Sequence, residues 1–281
     1  MSILRTIKNL IIKPKRRVIV TLTTIPSRLS AEYDTGIKSN IKSLIEQEYD
    51  GEYEIHLNVP SVSKLTDESY VVPEWMRELS TQHPKFKIYE GLEDLGTITK
   101  LVPTLKRVSE PDAILIVCDD DLIYHPKMVE EQVKNQENYE NTACGYDGSR
   151  CVNPSDFDDV RNSFVVSVYK DVYVKILQHY KTISYKRSFF NQDFFDEFLG
   201  NSWNDDILVS AYMGKHGFKK LVRHYEHEEK LITIEQWQSK GGVLTFPVIS
   251  HTTHEGLEGC NLFRQKQIDD NHMKYINLGW I

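Results

Sequence analysis

Apolar positions along the first half of the chain switch between two periods, with short polar, glycine- or proline-bearing breaks between them. Arg17–Leu22, RVIVTL, is a β-branched run that predicts a first strand. Thr23–Arg28, TTIPSR, interrupts it with Pro26 and small polar residues. From about Gly36 to Glu48, Ile37, Ile41, Leu44 and Ile45 recur on one helical face. Tyr53–Pro60 alternates and predicts a second strand. VPEWMRELS predicts a short helix with Pro73 near its start. KFKIYEG predicts a third strand, and Gly96–Val108 a helix broken or restarted around Pro103. DAILIVCDDD predicts the fourth strand, and HPKMVEEQVKNQ a helix that opens on Pro126.

Strands alternating with helices predict a doubly wound α/β domain with a mainly parallel sheet flanked by helices. Ligands of such sheets bind beyond the C-terminal ends of the strands. Three segments are therefore expected to converge on one crevice: the Thr23–Arg28 loop, the Glu93–Lys100 loop and the Asp119–Asp121 run. The second half is less regular. NSFVVSVYKDVYVKIL predicts a strand followed by a helix. Asn191–Val222 predicts one or two helices and a short strand after Gly217. Gly241–Gly256 predicts a β-branched strand that ends in histidines. Without an internal repeat, low-complexity tract or linker, one domain is the simplest organisation.

Composition fits that picture. At 281 residues, 40% hydrophobic and 27% charged, the chain can bury a core of ordinary size. A net charge of −7 argues against a general nucleic-acid binder, which needs a basic face. It leaves room for a small anionic ligand held locally by a metal. Cys118, Cys144, Cys151 and Cys260 form no C-x-x-C and have no histidines at zinc-finger spacing, so they read as reduced thiols of an intracellular protein. Residues 1–16 form a basic, apolar extension. Arg5 and Lys8 interrupt it too often for a signal sequence or a membrane span. Ile3, Leu4, Ile7, Leu10 and Ile11 keep helical spacing. An interfacial helix on anionic lipid, a short helix packed on the domain and a frayed tail all remain open. The expected location is the cytoplasm, with at most a peripheral membrane contact.

The stretch ILIVCDDDLIYHP carries the chemistry. A buried-looking strand runs straight into Asp119, Asp120 and Asp121. Their mutual repulsion is relieved if a divalent cation binds, and hard oxygen ligands suit Mn²⁺ or Mg²⁺. Such a metal can bridge a diphosphate and stabilise the charge that builds as it leaves. The alternative is a solvated acidic turn ahead of the next helix.

Three stretches, in order and spacing, resemble glycosyltransferases of the GT-A fold, in particular a bacterial and large-virus group. DDD after an apolar strand resembles their D-x-D motif. VIVTLTTIPSRL resembles the first strand and its nucleotide-facing loop. DLGTITKLVPTL resembles D-x-G-x-x-T-K-L-x-P-x-L, and CDDDLIYHP resembles the metal segment. The resemblance covers Arg17 to Pro126 well and the rest loosely. It implies a single GT-A domain over 17–281, with 17–126 as the nucleotide-sugar half and 127–281 as the acceptor half. It implies that Thr23, the backbone around Pro26, and Arg28 line the nucleotide. Asp94 would reach base or ribose, Lys100 the base or diphosphate, and Asp119 the ribose. Asp121 would be the direct metal ligand, with Asp119 beside it and Asp120 turned away or assisting. The implied donor is a nucleotide-diphosphate sugar, most often a UDP-sugar, and the implied ion is usually Mn²⁺.

Transfer with inversion needs a carboxylate base on the acceptor side. By the same resemblance, Asp206 and then Asp205 are the candidates, at the start of a predicted helix. Both could instead cap that helix, as could Asn204. Trp203 could back a sugar face or sit in the core. His251 and His254, just past a predicted strand, are candidate manganese ligands or phosphate contacts, or ordinary surface or core histidines. Arg264 and Lys266 could neutralise a diphosphate or be solvated. A nucleotidyltransferase would also use a strand-end metal, but TLTTIPSRL lacks the glycine-rich phosphate loop expected there. A non-catalytic, metal-dependent carbohydrate-binding module is the third reading, without an EF-hand pattern around the aspartates.

Overall fold

Strand β1 (Val18–Thr23) divides its side chains between two cores. Val18, Val20 and Leu22 face one apolar cluster and Ile19 faces the other. Its neighbour β4 (Ile114–Val117) does the same, with Ile114 and Ile116 on one side and Leu115 and Val117 on the other. Aliphatic runs without alternation are what a parallel sheet covered on both faces requires. In this computed structural model the described residues are 16–29, 36–149, 170–179, 181–199, 204–224, 232–233, 274–275, 277–278 and 280.

The central sheet has eight strands in the order β3-β2-β1-β4-β10-β6-β11-β8. Here β2 is Glu54–Pro60, β3 is Phe86–Leu92, β6 is Thr142–Gly145, β8 is Val172–Tyr173, β10 is Ile183–Lys186 and β11 is Lys219–Val222. The pairs among β3, β2, β1 and β4, and the pair β6–β11, are parallel; β10 and β8 run against their neighbours. Two small two-stranded sheets pair β5 (Leu122–Ile123) with β12 (Ile232–Thr233), and β7 (Gly148–Ser149) with β9 (Ile176–Leu177). The expected mixed α/β architecture with a mainly parallel sheet is the one observed.

Helices cover both faces. The short α1 (Pro26–Leu29) and α2 (Gly36–Ile45), α3 (Glu74–Gln82) and α5 (Met128–Asn138) bury Leu29, Ile37, Ile41, Leu44, Met76, Met128 and Val129 against one side. On the other, a 3₁₀ turn (Gly96–Lys100), α4 (Val102–Arg107) and α6 (Asp205–Lys215) pack with Phe189, Phe190, Phe194 and Phe198. The chain leaves β1 towards β2 and β3, then crosses back to place β4 on the other flank of β1. This reversal opens a crevice at the C-terminal ends of β1 and β4.

Three expected elements differ. The break in Gly96–Val108 falls at Leu101. Pro103 lies in the first turn of α4, where its missing N–H costs nothing. Helix α5 begins at Met128, two residues past Pro126, with Lys127 at its N-cap. The expected helix ending at Leu177 is instead the strands β8 and β9. Val172, Val174 and Ile176 are buried while Tyr173 and Lys175 are exposed, a period of two. Cys118 and Cys144 are free and buried. Among the described residues no helix is long and apolar enough to cross a membrane. Cys151, Cys260, residues 1–15, and the expected strand over 241–256 lie outside the described residues.

Candidate active site

The strand β4 delivers Asp119, Asp120 and Asp121 to the crevice, and the loop they form is held from behind. Asn40 of α2 donates Nδ2 to the carbonyls of Asp119 (2.9 Å) and Leu122 (2.6 Å). The Tyr124 hydroxyl accepts from the Asp119 amide at 2.9 Å and donates back to its carbonyl at 3.2 Å. With the backbone fixed, the three carboxylates must find partners outward.

Two cations meet them. Arg28 of α1 pairs with Asp120 and, at 3.1 Å, with Asp121. Lys100 of the 3₁₀ turn sits 2.5 Å from Asp119 Oδ1. The repulsion within the acidic run is thus already relieved in part by side chains, a contribution beside that expected of a metal. Burial works against the Arg28 charge, but Asp120, Asp121 and Asp119 outweigh it and raise its pKa. Burial likewise opposes the Lys100 charge, and Asp119 and Asp205 outweigh it. Burial pushes Asp119 up to about 7, with Asp121 and Asp205 adding to the push and Lys100 opposing it.

Lys100 also joins the two halves of the chain. Its Nζ lies 3.1 Å from Asp205 Oδ2 at the start of α6. Burial disfavours the Asp205 charge, but Lys100 and then His179 hold its carboxyl down to about 2. His179 Nδ1 lies 3.1 Å from Asp205 Oδ2 and 2.9 Å from Asp206 Oδ1, and its backbone N–H donates to the same Asp206 oxygen at 2.8 Å. Neither aspartate caps the helix. Asn204 does so, accepting from the Ile207 amide at 3.1 Å, which frees Asp205 and Asp206 to face the crevice. A continuous path of close polar contacts therefore runs Asp119–Lys100–Asp205–His179–Asp206.

Other expected residues have mainly structural contacts. Asp94 Oδ1 accepts from the Gly96 amide and Oδ2 from the Lys64 amide, both at 2.8 Å, so it ties two loops at the rim. Gly96, at φ 73°, takes the left-handed conformation that this turn needs. The Thr23 hydroxyl donates to the Asn58 carbonyl at 2.8 Å across β1 and β2. Pro26 opens α1, which carries Arg28. Trp203, His251, His254, Arg264 and Lys266 lie outside the described residues.

Sequence reasoning missed four contributors. His179 and Tyr185 carry no motif and are brought in by β9 and β10. Asn40 looks like a polar residue of an amphipathic helix. Tyr70 is half-buried, and burial, then the carboxylates of Asp94 and Asp120, hold its phenol protonated.

Two groups of ligand atoms bear on a cation. Asp120 Oδ2 and Asp121 Oδ1 are buried without a hydrogen-bond partner. Five carboxylates, from Asp119, Asp120, Asp121, Asp205 and Asp206, meet two permanent cations in these contacts, Arg28 and Lys100. Surplus negative charge with unpartnered hard oxygens fits a divalent cation. His179, Asp205 and Asp206 also bring ligand atoms within 4.8 Å of one another. There, however, the Lys100 ammonium already stands against Asp205.

No family profile matches the chain, and no curated protein does. Among solved structures, the mannosyltransferase PcManGT from Pyrobaculum calidifontis in complex with GDP-Man and Mn²⁺ is similar at 18% identity and a TM-score of 0.47. The match covers 73% of this chain and 53% of that one. TarS 1–349 from S. aureus follows at 12% identity and 0.44, covering 71% and 54%. A 4-diphosphocytidyl-2C-methyl-D-erythritol synthase follows at 7% and 0.48, covering 81% and 97%. The chain spans about half the length of the first two. Likenesses at this level carry no argument about activity.

Proposed function

We propose that the chain is a metal-dependent glycosyltransferase that moves a sugar from a nucleotide-diphosphate sugar to a hydroxyl of a glycan or glycoconjugate. One observation carries the reading. The acidic run at the sheet's reversal point and the acidic pair from the second half meet through Lys100 in one network. A donor side and an acceptor side are thereby joined over residues that resemble the GT-A motifs. Residues 17–281 are read as one domain, with a donor half to residue 126 and an acceptor half after it.

Asp121 and Asp119 would hold Mn²⁺ or Mg²⁺, with His251 or His254 as a further candidate ligand. When bound, the ion would neutralise charge developing on the leaving diphosphate. Arg28 and Lys100 would take part in holding that diphosphate, as charge-assisted donors. Thr23, Asp94 and Asp120 shape the wall on which the nucleotide lies. Asp206 takes the acceptor hydroxyl proton as the acceptor oxygen bonds to the anomeric carbon and the bond to the diphosphate breaks. Of the acidic pair, Asp206 is better placed for that, with its side chain 26% exposed against 8% for Asp205. A base so placed implies inversion, and a UDP-sugar is the favoured donor.

The test is nucleotide-sugar hydrolysis with and without Mn²⁺, in wild type and Asp121→Ala. Metal-dependent release of the nucleotide diphosphate is expected only from the wild type, with the variant still folded. Calorimetry that finds Mn²⁺-dependent UDP binding intact in Asp121→Ala removes Asp121 from the metal site.

A further inference from the structure

We infer that His179 is a positioning residue for the Asp206 base, with its ring held in place by Tyr185. The inference rests on the reading of Asp206 given above.

His179 follows β9 and is only 1% exposed. Every polar atom it owns on this side is committed. Its Nε2 lies 3.0 Å from the Tyr185 hydroxyl, which β10 delivers from within the sheet. Tyr185 is also 1% exposed, and burial, with Asp205 and Asp206 nearby, keeps its phenol protonated. Its hydroxyl is the hydrogen-bond partner that holds Nε2 in place. Nδ1 faces Asp206 Oδ1 at 2.9 Å and Asp205 Oδ2 at 3.1 Å, and carboxylate oxygens only accept, so Nδ1 carries a proton and donates. The sheet strand thus sets the ring, and the ring sets the carboxylate.

Asp206 Oδ1 receives two donors from this one residue, the ring N–H and the backbone N–H at 2.8 Å. Two donors at one oxygen fix the carboxylate plane and leave the other oxygen as its basic site. Asp205 cannot take the same part. Its Oδ2 is shared between Lys100 and His179, and its side chain is nearly inaccessible. A base held in orientation rather than searching for it is where much of the rate of a bimolecular transfer comes from. The same contacts make a cation site at His179, Asp205 and Asp206 a poor alternative, because both ring nitrogens have partners and the Lys100 ammonium stands 3.1 Å from Asp205 Oδ2.

Three variants test the inference, read by calorimetry of UDP with Mn²⁺ and by UDP release. The turnover probe is whichever of UDP-glucose, UDP-galactose and their N-acetyl forms the wild type uses. His179→Phe keeps ring bulk and removes both nitrogens; it is expected to lower kcat about 10- to 100-fold while the UDP Kd stays within about twofold. His179→Asn restores a donor on the Asp206 side and is expected to recover part of that loss, which a merely space-filling role would not allow. Tyr185→Phe removes one hydroxyl and should lower kcat several-fold in the same direction; it carries the test if His179→Phe does not fold. Asp206→Asn separates the two ideas. If Asp206→Asn is inactive but His179→Phe, or in its place Tyr185→Phe, keeps wild-type kcat, the positioning role is overturned and the base stands. If Asp206→Asn is fully active, or the wild type turns over none of the four sugars, the premise falls and the inference with it.

Discussion

Lys100 is the residue on which the site turns, and a buried polar lattice beneath it explains why. Its carbonyl accepts from Thr21 Oγ1 at 2.5 Å and from Asn58 Nδ2 at 3.3 Å, while Thr21 also meets Thr104 at 2.7 Å. The 3₁₀ turn is thus pinned to β1 and β2, and the ammonium is left between Asp119 and Asp205. Removing one partner of a buried ion pair strands the other and costs about 3–5 kcal/mol. Lys100→Ala should therefore lose about that much stability in urea denaturation, besides weakening UDP binding. Normal stability with weakened binding would mean that the two carboxylates find another counter-ion, and unchanged values of both would take Lys100 out of the site. At this scale the sequence showed the donor side well. Arg28, Lys100 and Asp119–Asp121 lie in short segments next to strand ends, so local pattern and the fold rule together bring them into one crevice. His179 could not be read in that way. It sits in LQHYKTISY, with no periodic neighbours, and gains its role from Tyr185 and α6, contacts that exist only once the sheet is built.

Helix α6 shows what an element adds. Asn204 caps its start, and Gly217, at φ 74°, ends it in a Schellman turn. There the Phe218 amide donates to the Met213 carbonyl at 2.9 Å and the Gly217 amide to the Gly214 carbonyl at 3.1 Å. The sequence places Asp205 and Asp206 at the start of a helix and a short strand after Gly217, and the helix and strand lie there. Gly214 inside it was not explained by helix propensity, since Ala would be favoured there by about 1 kcal/mol. Packing supplies the reason: a Cβ at Gly214 would run into the backbone carbonyl of Trp280. That carbonyl belongs to a C-terminal segment whose Tyr275 and Trp280 rings lie 5.9 and 5.6 Å from Phe198. Backbone cannot give way as a flexible side chain can, so the clash outweighs the propensity gain. Gly214→Ala is expected to lower stability by about 1–3 kcal/mol, and to expose Trp280 to a fluorescence quencher. A raised melting temperature in that variant would mean that the C-terminal segment does not dock on α6. The misread segment before it, Val172 to Leu177, had its period of two in plain view. Its strands are two residues long and pair with partners far along the chain, so a sequence window sees too little of them.

For the whole molecule, one part of the response to acid sits at the end of the sheet opposite the crevice. His56 on β2 is 1% exposed, and its Nε2 donates to Glu54 Oε2 at 2.8 Å. The Tyr89 ring on β3 packs 4.8 Å away, the Arg107 guanidinium of α4 lies over that ring at 3.6 Å, and Lys87 and Arg17 close on Glu54 at 2.9 and 3.1 Å. Burial lowers the His56 pKa to about 4, with Glu54 opposing that shift and Arg107 and Lys87 adding to it. Burial disfavours the Glu54 charge, but His56, Lys87 and Arg17 hold its pKa at about 2. For His56 the unfolded chain takes up a proton near its ordinary value of 6.5, before the folded chain does. Its contribution to stability is therefore complete above that pH and is lost as pH falls towards 4, where about 3 kcal/mol has gone. Glu54 follows in the next window, between 4.5 and about 2, with the same sign. Other carboxylates titrate over these ranges, so the useful quantity is a difference. His56→Gln keeps a donor towards Glu54 and removes the titration. The fall in stability from pH 7 to pH 4 should be shallower in the variant by up to that 3 kcal/mol, measured by urea denaturation at each pH. Parallel curves for the two proteins would place the acid sensitivity elsewhere, and a steeper curve for the variant would reverse the sign argued for His56.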